Sequence, residues 1–95
     1  MTRKLVPSAL LLVTMIELSE PIDVWVLFRK NQIQPSVFFW KGRQIKIDKI
    51  NLVHTSKNGS NLFYHFSVSG NNNYYRITFD QGRLEWILEA VDEEE

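Results

Sequence analysis

The 95-residue chain contains no cysteine. That absence excludes a disulfide scaffold, a zinc ribbon and thiol catalysis together, and it fits a reducing cytoplasm. Net charge is missing too: 11 basic side chains balance 11 acidic ones. With 44% hydrophobic residues, a neutral chain of this kind is not disordered. Its length fits one domain with a small core, to which the 13% aromatic share contributes strongly. No GxGxxG, Walker, HExxH or nucleophile-elbow pattern occurs.

No apolar run is long enough for a membrane helix, which needs ~20 residues. The longest, Leu5–Leu18, is broken by Pro7 and Glu17. Arg3 and Lys4 ahead of it imitate the front of a signal peptide. The following Ser19-Glu20-Pro21-Ile22-Asp23 lacks the small residues of a cleavage site. The expected organisation is an N-terminal extension or extra strand at 1–14, a single β domain at 15–91 and an acidic tail at 92–95. Met15 is a second possible start.

From Pro21 onward the side-chain period is two, and β-branched and aromatic residues dominate. Strands are expected at Asp23–Arg29, Ser36–Trp40, Arg43–His54 and Leu62–Ser69, then around Tyr75–Phe79 and Leu84–Leu88. Lys41-Gly42 reads as a tight hairpin turn, and Ser56–Asn61 as a loop. Ile45 and Ile47 share one parity, Ile50 and Leu52 the other. A bulge or bend near Asp48-Lys49 is therefore expected. The fold class is all-β: a small antiparallel five- to six-stranded meander closing into a bent barrel or half-barrel.

Charge is segregated along the chain. Arg29–Lys57 holds seven basic residues against Asp48, whereas most acids lie after Asn58. Cations interleaved with aromatics are how β domains hold single-stranded nucleic acid. The candidate contact residues are Trp40, Lys41, Arg43, Lys46, Lys49, Arg29 and Lys30. Phe38 or Phe39 accompanies them, and Tyr74 and Arg76 extend the surface. Two other readings stand beside this one. The basic strand pairs directly with the acidic C-terminal one, or an exposed strand edge docks a partner protein.

Chemistry is sparse. His54 and His65 have no cysteine near them and no metal-ligand spacing, so neither a metal nor a cofactor is expected. Glu17, Glu20 and Asp23 flank Pro21 on a turn-like segment. An enzyme requires His65 to share a pocket with a carboxylate such as Asp80 or Glu85, and the chain reads as a non-enzyme.

Three segments carry a resemblance: Ser19–Trp25 (SEPIDVW), Val37–Arg43 (VFFWKGR) with Ile45, Ile47 and Ile50, and Arg83–Glu89 (RLEWILE) after Tyr75. Together they resemble a family of small, uncharacterised bacterial domains with an EPIEVW…FRWRGRRYRV…WYLERV layout. Its members are often encoded near Y-family DNA polymerase genes. The likeness spans about residues 16–91. It departs where His54-Thr55 replaces an aromatic, and around Asn58, where the loop is shorter. It implies a bacterial cytoplasmic setting and a tilt toward DNA metabolism, with no catalytic residue to carry over.

Overall fold

The alternation resolves into seven strands in a computed structural model that describes residues 15–92. The readings for residues 1–14 and 93–95 lie outside them. The strands are β1 (Met15–Arg29), β2 (Gln32–Trp40), β3 (Arg43–Lys46), β4 (Lys49–Asn58), β5 (Asn61–Gly70), β6 (Asn73–Asp80) and β7 (Glu85–Asp92). They form one antiparallel sheet in the order β3-β2-β1-β7-β6-β5-β4, curled into a half-barrel. No helix among the described residues is long and apolar enough to cross a membrane.

Seven strands replace the expected five or six because the run from Arg43 divides at Asp48. Its first part pairs with β2 and its second with β5. At the bend, the Ile47 N–H donates to the Ser36 carbonyl at 2.9 Å and the Asp48 N–H to the Ser69 carbonyl at 2.8 Å. Two consecutive residues thus stitch β2 to β5. The bend supplies the parity change expected ahead of Ile50. A second register shift, between Ile50 and Leu52, separates the two residues expected to share a face. Ile50 lies opposite buried Val68, Val53 turns inward opposite Phe66, and Leu52 is left 57% exposed.

β1 makes the second corner. Its first half, to Ile22, pairs with β7, and from Asp23 it pairs with β2 on its opposite edge. The Glu17–Asp23 segment is therefore strand rather than turn. Pro21 is tolerated because this half of β1 is an edge, where a missing N–H costs no ladder bond.

Other boundaries differ from the reading above, and β2 begins at Gln32 rather than at Ser36. β4 runs to Asn58, so the turn to β5 shortens to Gly59-Ser60. Asp92 closes β7 rather than opening the tail. Leu84, expected to open the last strand, is 75% exposed at φ +56° in the β6–β7 turn, and β7 begins at Glu85. The Lys41-Gly42 turn has positive φ at both residues, 54° and 71°, matching the right-handed twist of its strands.

The concave faces bury Phe38, Ile45, Phe66, Val68, Tyr75, Ile77 and Leu88 almost completely. Tyr75 on β6 meets Phe38 on β2 edge-to-face at 5.0 Å, and Trp40 at 6.4 Å. Phe79 and Trp86 stack obliquely at 5.0 Å beside Phe66.

Truncation of Phe38 to alanine is expected to cost ~3–5 kcal/mol, a large share of a total that is typically ~5–15 kcal/mol. Urea unfolding measures it. At Gly70 a Cβ would stand 2.5 Å from the Lys46 carbonyl, at the bend. Gly70→Ala should therefore destabilise by roughly 1–3 kcal/mol. An unchanged midpoint would show that the corner yields freely.

Candidate binding surfaces

Trp40 belongs to the core. It is 9% exposed, its indole N–H donates to Glu20 at 2.9 Å, and the Lys41 ammonium lies 4.7 Å over its ring. It offers no free face to a base. The Val37–Trp40 run is apolar at every position, so alternation alone could not say which ring faces inward.

The seven candidates do not converge. Lys41 and Arg43 sit at one end of β2, Arg29 and Lys30 at the other, some ~27 Å apart at ~3.3 Å per residue. Lys46 and Lys49 flank the bend. Among the described residues none of these cations has a carboxylate within 4.0 Å; the ion pairs belong to His65, Arg76 and Arg83. Direct pairing of the basic and acidic strands does not occur, because β7 lies between β1 and β6. Arg76 is not free to extend a basic surface: Glu17 and Glu89 each hold its guanidinium at 3.5 Å.

Two surfaces take shape instead. The first is the convex face of β1–β3. Trp25, 61% exposed, packs edge-on against Phe39 at 5.7 Å. Cross-strand pairing sets Trp25, Val37 and Lys46 in one row. Leu27 and Arg29 continue the same face of β1 by alternation.

The second is a cleft of ≈ 420 Å³ between the start of β2 and β4. Beyond the bend these strands diverge, so β2 residues Gln32–Pro35 and the outer edge of β4 have no strand partner among the described residues on the sides that face each other. Ile33, Ile50, Val53, Tyr64 and Phe66 line it, with Gln32 and Gln34 at its rim. A shallower depression of ≈ 300 Å³ continues past Lys30 to Phe28 and Leu84. Alternation in the sequence marks Ile50, Tyr64 and Phe66 but neither Ile33 nor Val53, and it does not reveal the split.

The convex face of β4–β7 carries a polar network. His54 and His65 stack at 4.7 Å across the hairpin. His65 bonds Ser56 Oγ through Nε2 at 2.8 Å and Thr78 Oγ1 through Nδ1 at 2.9 Å, with Glu89 at 3.9 Å. Neither Asp80 nor Glu85 is its partner. Asp80 instead accepts from the Asn61 amide at 3.0 Å and the Arg83 N–H at 3.2 Å, and the Asn61 bond is the main reason its carboxyl lies below the usual range. The network lies on the open face, outside both depressions. Among the described residues no group of three or more His, Asp or Glu is placed to hold a metal ion.

Burial holds the His65 imidazole below its ordinary value of 6.5; Glu89 opposes this, while His54 and Arg76 reinforce it. Just below 6.5 the unfolded chain therefore binds more protons than the folded one. Stability should fall as pH drops through that value and stay level above it. NMR titration of the ring protons should place the His65 midpoint under 6.5, and His54→Ala should move it upward. An identical midpoint in both proteins would mean the stacked ring contributes nothing.

Comparison with protein-family models, with curated proteins and with solved structures finds no match to this chain.

Proposed function

We propose that this chain is a non-catalytic binding module that takes an extended segment of a partner protein as an added strand in the cleft between β2 and β4. One observation carries the reading: two backbone edges with no strand partner among the described residues flank an apolar floor. An inserted strand gains main-chain hydrogen bonds from an edge, while alternate side chains reach the floor. Ile33, Val53 and Tyr64 favour apolar residues there. Arg29 and Lys30 lie beside the rim residues Asn31 and Gln32, and they favour acidic residues at the positions between. A partner within a DNA-processing complex is the setting that the family resemblance implies.

A second reading keeps single-stranded nucleic acid as the ligand, on the convex face where exposed Trp25 stands with Phe39, Lys46 and Arg29. An exposed indole beside cations that no carboxylate among the described residues pairs is a stacking platform with phosphate contacts.

Selection of displayed octapeptides on the immobilised chain tests the first reading. The winners should alternate apolar and acidic residues. Fluorescent synthetic copies should lose at least about tenfold in affinity, roughly 1.4 kcal/mol, on Val53→Asp. Val53 is 47% exposed, so the substitution should barely move the melting temperature. No such winners, or affinity indifferent to Val53→Asp, overturns strand addition. Labelled oligo-dT titrated at rising salt tests the second reading: binding that weakens steeply and disappears in Trp25→Ala and Lys46→Glu establishes it. No binding at low salt removes it.

A further inference from the structure

We propose that two copies of this chain associate through the free edge of β1, residues Asp23–Arg29, as an antiparallel strand pair with a two-fold axis at Val26. The backbone edge itself lies on the opposite side of β1 from β2 and the cleft. Phe28 also lines the shallower depression, and Trp25 and Arg29 border the surfaces proposed above, so the dimer is tested by its mass and not by ligand binding.

Three observations lead to it. The first is the exchange of partners along β1. β7 covers one edge only as far as Ile22, and β2 covers the other edge from Asp23 onward. The edge of Asp23–Arg29 that β7 leaves has no strand partner among the described residues.

The second is what that segment exposes. Edge strands usually carry Lys, Pro or a bulge that discourages pairing. Here the one irregularity, the register shift between Trp25 and Val26, puts its extra residue, Ser36, on β2 and not on β1. Trp25, Leu27 and Phe28 are 61%, 51% and 65% exposed. Charge appears only at the two ends, Asp23 and Arg29.

The third is that the segment Asp-Val-Trp-Val-Leu-Phe-Arg is complementary to its own reverse. Antiparallel pairing about Val26 sets Asp23 against Arg29 of the second copy, Val24 against Phe28 and Trp25 against Leu27. Symmetry repeats each contact, as in any isologous interface. Opposite charges meet at both ends and apolar side chains meet between them, on each face of the extended sheet. A slip of one residue would set side chains of opposite faces against each other. A peptide or a nucleic acid has no reason to match this pattern, whereas a second copy matches it at every position.

Sedimentation velocity with charge reversal tests the proposal. The wild-type chain should sediment at twice its monomer mass of 11.2 kDa. Asp23→Arg sets like charges together at both ends of the pair, as does Arg29→Asp, so each alone should weaken the dimer at least about tenfold. The double reversal restores both ion pairs, and so does an equimolar mixture of the two single variants; both samples should return to the dimer mass. Asp23 and Arg29 are exposed, so each variant should keep the wild-type far-UV circular dichroism. A monomeric wild type overturns the proposal. So does a dimer that ignores the single reversals, or single variants that neither the mixture nor the double reversal restores.

Discussion

The contact between Tyr75 and the Phe38–Trp40 pair is the one on which the rest of the half-barrel depends. β2 and β6 are three places apart in the sheet, and only curling brings them face to face. Once Tyr75 is buried against Phe38 and Trp40, the curvature is set and each strand has one inside face. The polar tie from Trp40 to Glu20 then holds β1 against the same ring. An aromatic cluster of this size does in a small chain what a larger core does elsewhere, since each ring buries ~150–250 Å².

Curling a short sheet this tightly requires the chain to change partners, and it does so twice. Ile47-Asp48 passes from β2 to β5, and Ile22-Asp23 passes from β7 to β2. Each corner leaves bare backbone beside it, because a strand that gains a neighbour on one side has lost one on the other. The cleft and the free edge of β1 are thus consequences of closure. Both are lined by apolar side chains, which places the molecule's sticky surface where its ladders end.

Much of the architecture was legible in the sequence. The parity change between Ile47 and Ile50 marked the bend, Lys41-Gly42 the tight turn, and the inward set Tyr64, Phe66 and Val68 the floor of the sheet. A Gly59-Ser60 turn even fixes His54 opposite His65, once it is known to hold only two residues. The basic surface was less legible. Lys41 and Arg29 are near in sequence, but β2 holds them at opposite ends. Trp40 carries the same aromatic signal as Trp25, and only curvature decides which of them is covered. Charge segregation along a chain reports composition. Which strands become neighbours is decided by the corners.

The central pairing of β1 with β7 also governs the order of events in folding. Met15 opposes Asp92, so this ladder joins residues from the two ends of the described chain. The hairpins from β4 to β7 are local and cheap to close, whereas the β1–β7 ladder bears the largest loop-closure entropy. Topologies dominated by such distant contacts fold in milliseconds to seconds rather than microseconds. On a ribosome, β7 is the last of these strands to emerge. Until it does, the first half of β1 has no strand partner among the described residues, and its apolar side chains have no sheet to pack in.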